Sequence, residues 1–250
     1  MNQMTKQEGR VALVTGAARR IGAAIVQFLH QAGFKVAIHC HQSSTEAANL
    51  AKILNNLQAD SARVIQCDLL RGDAGQVIID DVTRWAGRLD LLVNNASLFF
   101  RTDVQQWHVT DQSRLFQVNV FAPFSLSTAA FPWLQQQKGS IVNITDIHAD
   151  KPLKGYALYC QSKAALAMQT RALAREFAPL VRVNAVAPGA IAWPEHENSL
   201  SLNAREQIIA RTPLRSHGQP DYIAQAVLAL ADNAFITGQI LNVDGGRSLT

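Results

Sequence analysis

Short apolar runs alternate with helix-period segments along almost the whole chain. Val11-Ala-Leu-Val-Thr15 is a continuous apolar run bounded by Gly9 and Gly16, as expected of a strand buried on both faces. A segment with Ile21, Ile25, Phe28 and Leu29 on one helical face follows and ends near Gly33. The same pair of signals then recurs. Strands are predicted at Lys35–His39, Arg63–Cys67, Leu89–Asn94, Ser140–Thr145, Val181–Val186 and Gln239–Val243. Helices are predicted at Ser44–Leu57, Ala74–Trp85, Thr110–Gln136, Tyr156–Ala178 and Asp221–Asp232, with Pro123 and Pro132 kinking or ending the long one. This alternation implies an α/β fold: one domain over residues 1–250, a doubly wound parallel sheet of about seven strands, helices on both faces. The long irregular stretch Pro188 to Thr212 follows the sixth strand. It should therefore lie at the carboxyl edge of the sheet, where such folds bind ligands, and residues 188–212 are expected to form the substrate loop.

Composition matters mainly for what it excludes. The formal net charge of +4 is modest and spread along the chain, with no basic stripe of the kind that grips nucleic acid. No apolar run is long enough to span a membrane, and Met1 to Arg10 has no apolar centre of a signal peptide. Cys40, Cys67 and Cys160 form no metal-like or redox pair; they read as small fillers in a reducing compartment, and the expected location is cytoplasmic. No metal site is expected.

Four patterns carry possible chemistry. Thr15-Gly-Ala-Ala-Arg-Arg-Ile-Gly22 joins the first strand to the first helix. Its glycines permit a tight turn, and a helix N-terminus favours a pyrophosphate. Arg20 occupies the place of a middle glycine. At the end of the second strand, Ile38-His-Cys-His-Gln-Ser-Ser44 has no acid until Glu46. A 2′-phosphate would be accepted there rather than repelled, which favours NADPH, although His39 and His41 also read as ordinary strand-end residues. Asp68 is either an acceptor for the adenine amino group or a helix cap. Asn94-Asn-Ala-Ser97 after the fourth strand lets backbone lie against a cofactor, or is a plain turn. Finally, Tyr159 and Lys163 stand one helical turn apart on one face. The ammonium is expected to lower the phenol pKa from its usual ~10 and make it a proton donor. Phe99 and Phe100 read as core or as a flat pocket wall, and Trp193 as a lid or an interface residue. Arg101, His148, His196 and His217 are rim or surface positions.

In combination these pieces resemble the short-chain dehydrogenase/reductase family over nearly the whole chain. The matching pieces are Thr15 to Gly22, Asp68, Asn94 to Ser97, Asn119, Tyr159 with Lys163, Pro188-Gly189 and the ending Val243-Asp-Gly-Gly246. Two departures resemble its pteridine reductases: Arg20 for a glycine, and Asp146, thirteen residues before the tyrosine, for the usual serine. The segments His39-Cys-His-Gln-Ser43 and Asn95-Ala-Ser-Leu-Phe99 match that subfamily too. The resemblance implies NADPH held by Gly16, Arg20, Ile21, His39, Cys40, His41, Ser43, Asp68, Leu69, Asn95, Ala96, Ser97, Tyr159, Lys163, Pro188 and Gly189. It implies a pterin or folate substrate held by Arg20, Ser97, Phe99, Asp146, Tyr159 and Trp193, with Phe99 stacked on the pterin. Asp146, Tyr159 and Lys163 would deliver the proton, and Asn119 would support the lysine through water. Gln42 departs from the arginine of well-known members and weakens the charge available to NADPH. The resemblance also implies a homotetramer pairing through its long helices.

Reducing a dihydropterin C=N bond requires a hydride on carbon and a proton on nitrogen. A carboxylate at 146 would repel the growing charge of a carbonyl oxygen but suits a heterocycle bearing N–H and amino groups. It should also raise the phenol pKa, which Lys163 opposes. The expected activity is therefore NADPH-dependent reduction of dihydromonapterin, dihydrobiopterin or dihydrofolate. The alternatives are a generic carbonyl or alcohol oxidoreductase and a non-enzymatic NADPH-binding regulator.

Overall fold

The computed structural model describes residues 9–193 and 201–250. Seven parallel strands form one sheet: β1 Val11–Val14, β2 Lys35–Cys40, β3 Ala62–Gln66, β4 Leu91–Asn94, β5 Ser140–Ile144, β6 Arg182–Pro188 and β7 Ile240–Val243. Their spatial order is β3-β2-β1-β4-β5-β6-β7. The order reverses between β1 and β4, paired through Val14 and Val93. A doubly wound sheet opens its ligand crevice at the carboxyl ends of such strands.

Side-chain alternation along β1 sends its residues to two cores. Ala12 and Val14 pack with α1 (Arg20–Gln31), α2 (Ser44–Leu57) and α8 (Pro220–Asp232). Val11 and Leu13 pack with α3 (Ala74–Ala86), α5 (Ala122–Leu134) and α6 (Ala157–Phe177). Both faces are covered, so the strands read as unbroken apolar runs. A third, smaller cluster of Leu115, Tyr156 and Tyr159, with Phe99 and Phe100 against it, lies beside the carboxyl edge.

Two expectations require correction. The segment Thr110–Gln136 is not one continuous α-helix. α4 spans Val109–Phe116, a π-helical turn follows at Gln117–Phe121, and α5 runs on from Ala122. Pro123 lies in the first turn of α5, where its missing N–H is tolerated, and Pro132 sits inside the helix without ending it. Second, the stretch Pro188 to Thr212 is not wholly irregular: β6 reaches Pro188, and α7 forms at Leu202–Arg211. Among the described residues no helix is long and apolar enough to cross a membrane.

Candidate active site

The turn after β1 is held by groups that are themselves fully engaged. Thr15 Oγ1 accepts from the backbone N–H groups of Asn95 and Ala96, both at 3.0 Å. The Asn95 amide donates back to the carbonyls of Thr15 and Gly16 at 2.8 and 2.9 Å. Gly16 has φ +59°, and a Cβ there would meet Ala96 Cα at 2.9 Å. At Gly22 an added Cβ would meet the Gly16 carbonyl oxygen at 2.3 Å. Only glycine fits either place. Arg20, where the family pattern has glycine, also takes a left-handed φ of +54°. This explains why glycine suits the position and shows that arginine is accommodated there.

This cradle fits a dinucleotide. α1 begins without a side-chain cap and without an acid in its first turn. Its leading N–H groups and positive dipole end are thus left for a phosphate.

His39 does not project toward a ligand. It is buried beneath the turn: Gly16 N–H donates to Nδ1 at 3.2 Å, and Nε2 lies 3.1 Å from the Cys67 carbonyl. Those partners require the neutral Nε2–H tautomer, and burial brings the pKa down to about 4. Cys40 is buried as well. His41 and Gln42 are exposed. His41 Nε2 is 3.7 Å from Asp68, and Arg19 is 4.0 Å from Glu46, so the nitrogen side chains at this strand end each have an acidic neighbour. Asp68 accepts from Leu70 N–H and caps a local turn, well before α3 begins at Ala74. Ile21 packs against one core cluster and Leu69 lies in the other, while Pro188 ends β6 and a Cβ at Gly189 would meet Asp244 at 2.6 Å.

The catalytic candidates converge on Tyr159. Its hydroxyl donates to Asp146 Oδ2 at 2.5 Å, while Asp146 Oδ1 accepts from His148 N–H at 2.8 Å. Lys163 is buried; its ammonium donates to the Ile144 carbonyl at 3.0 Å and lies 5.8 Å from the Tyr159 ring centre. Of the two opposed effects expected on the phenol, the raising one prevails. Burial first, then the charge of Asp146, push Tyr159 well above its ordinary range. Burial also brings Lys163 down to about 8, against the attraction of Asp146. Desolvation wins because these side chains are nearly out of water.

Asn119 is aimed by the π-turn. It donates to the Leu98 carbonyl and to Ser162 Oγ, each at 3.0 Å, and accepts from Leu98 N–H and Ser97 Oγ. Its bonds thus tie the Ser97 loop to α6. Phe99 stacks on Tyr156 at 4.5 Å and meets Tyr159 edge-on at 4.8 Å. Trp193 stacks on His217 at 4.2 Å, with Arg205 5.4 Å from its ring centre. Arg20 donates to the carbonyls of Ala192 and Trp193 at 3.0 and 2.8 Å, linking the phosphate turn to the loop after β6. Of the rim positions, Arg101 lies over Tyr156, and His196 falls outside the described residues. His148 and His217, expected at the rim or surface, contribute an N–H to Asp146 and a stacking partner to Trp193. Arg247, whose guanidinium is attracted by Asp146, escaped sequence reasoning. The charged side chain after the Gly245-Gly246 turn is a faint sign of it.

The comparisons agree with this geometry. Residues 16–248 match the family model described as enoyl-(acyl carrier protein) reductase. The structure is similar to FolM alternative dihydrofolate reductase 1 from Brucella canis complexed with NADP: TM-score 0.91, 35% identity, covering 98% of this chain and 97% of that one. Pteridine reductase 1 of Leishmania tarentolae is 33% identical over 289 residues, covering 98% of this chain and 99% of its own. A 3-oxoacyl-[acyl-carrier-protein] reductase of Synechocystis is 37% identical over 249 residues, covering 97% and 98%. On the family match, these relatives and the Tyr159–Lys163 site, the chain belongs to the short-chain dehydrogenase/reductase family of nicotinamide-dependent oxidoreductases.

Proposed function

We propose that the chain uses NADPH to reduce the C=N bond of a dihydropteridine to the tetrahydro form. The observation that carries this reading is the 2.5 Å hydrogen bond from the Tyr159 hydroxyl to Asp146. A carbonyl reducer needs donors around an oxygen that gains negative charge. Here the group beside the phenol is an acceptor, suited to a ring that presents N–H and amino groups.

The bound cofactor supplies the hydride. The chain's own residues manage the proton. Burial and Asp146 keep Tyr159 protonated at neutral pH, so its Oη holds the proton the ring nitrogen needs. When that proton leaves, the ammonium of Lys163 on the same helical face offsets the phenolate charge, and Asp146 opens the route for the next proton. Arg20 and Ser97 line the cofactor side of the ring, and Phe99 forms its apolar wall. The names of the Brucella and Leishmania proteins support a pterin or folate substrate, and the NADP complex supports the phosphorylated cofactor. The exposed faces of Phe121, Phe124 and Met168 on and beside α5 and α6 suit self-association.

A second reading, 3-oxoacyl reduction, is favoured by the Synechocystis relative. Replacing Asp146 by Ser separates the two. On the pteridine reading, D146S loses about 10²- to 10³-fold in kcat with a dihydropterin while NADPH affinity holds. An undiminished dihydropterin rate would remove Asp146 from the chemistry.

A further inference from the structure

The C-terminal turn is built onto the Asp146 loop. Gly245 and Gly246 take left-handed φ values of +64° and +85°. A Cβ on either would come within 2.9 Å of Thr212 or Pro213. Asp244 accepts from the N–H groups of Gly246 and Ser248 at 2.9 and 2.7 Å. Lys151, just beyond the turn that carries Asp146, donates to the Arg247 carbonyl at 3.0 Å. The backbone at Arg247 is thereby fixed.

Its side chain is not satisfied. Arg247 Nη1 is out of solvent and has no hydrogen-bond partner among the described residues. Asp146 attracts the guanidinium electrostatically, as does Asp244, while Arg211 repels it. Yet both oxygens of Asp146 are already engaged, by Tyr159 and His148 N–H, and both oxygens of Asp244 by backbone. No ion pair within 4.0 Å forms among the described residues for Arg247, Arg211 or Lys151. A buried guanidinium nitrogen without an acceptor is unfavourable until something supplies one. A planar carboxylate matches its fork.

We propose that Arg247 is a specificity-determining residue that receives a carboxylate on the substrate's side chain, so that an acid-tailed folate-type dihydropteridine is preferred over one with a neutral tail. The inference rests on the pteridine reading. A ring held by its N–H groups at Asp146 leaves its substituent to run along the C-terminal turn. There Arg247, flanked by Lys151 and Arg211, presents positive charge that no carboxylate among the described residues pairs.

The test is steady-state NADPH oxidation with dihydrofolate and with dihydrobiopterin, using the full chain, R247M and R247K. The readout is the ratio of kcat/KM for dihydrofolate to that for dihydrobiopterin. R247M should lower this ratio about 10- to 100-fold, mostly through KM for dihydrofolate, as expected for one lost charge-assisted hydrogen-bonding group. R247K should fall between the two. A ratio unchanged within twofold in both variants overturns the assignment, even if both rates drop together; such a common drop would instead make Arg247 a support for Asp146. Should R247M fail to fold, R247K alone decides by the same ratio. Wild-type chain that turns over neither pterin overturns the pteridine reading itself, an outcome separate from an unchanged ratio.

Discussion

The two ends of the crevice are built on opposite terms. At the cofactor end, Thr15, His39 and Asn95 are neutral and hold the turn through hydrogen bonds that the protein supplies to itself. At the substrate end a buried phenol and a buried ammonium meet a half-buried carboxylate and guanidinium, and one guanidinium nitrogen lacks a partner among the described residues. At the first end the turn is held by the protein's own bonds, so these three residues serve shape. The second is charged and unfinished, so its residues serve recognition and proton movement, and buried charge of this kind is kept for function at a cost to stability.

If the cofactor end depends on a neutral strut, acid should break it. The His39 pKa is depressed to about 4 from an ordinary 6.5. The unfolded chain then binds the proton more readily than the folded one, so stability is full above about pH 6.5 and falls as pH drops through 4. The shift corresponds to a loss of about 3 kcal/mol across that window. Urea unfolding from pH 7 to 4 should show this component in the wild type and a shallower decline in H39Q. Equal pH slopes would mean that His39 is not the neutral strut.

A smaller effect is expected from filling the cradle. In G22A the new methyl would press on the Gly16 carbonyl and the Asn95 amide, at 2.3 and 2.7 Å. Overpacking of this sort costs about 1–3 kcal/mol. A lowered Tm together with weaker NADPH binding is expected, with catalysis on a saturated enzyme less affected. Unchanged NADPH affinity would show that the turn does not shape the cofactor site.

The same contrast explains what the sequence made legible. The cofactor end is encoded locally: apolar runs buried on both faces, a glycine turn, then an amphipathic helix, all contiguous from Val11 to Gln31. Tyr159, Lys163 and Asp146 were legible through their order and spacing. Of their electrostatics, the raising effect of Asp146 was legible, but the larger effect of burial was not, because spacing does not report it. The π-turn at Gln117–Phe121 was hidden because its residues continue a helical pattern on both sides. α7 was hidden because none of its residues is buried, so it carries no apolar stripe. Arg247 approaches Asp146 only because the C-terminal turn folds back across the site, a meeting of residues about a hundred positions apart.

The central claim, that the charged end is built for a nitrogen heterocycle, is tested most directly by what the wild-type chain turns over. NADPH oxidation would be followed with dihydrofolate and dihydrobiopterin in parallel with a 3-oxoacyl thioester and a panel of simple ketones. Turnover of at least one dihydropterin, with kcat/KM well above that for every carbonyl compound, is the predicted result. Efficient turnover of the thioester or ketones with none of either pterin would contradict it.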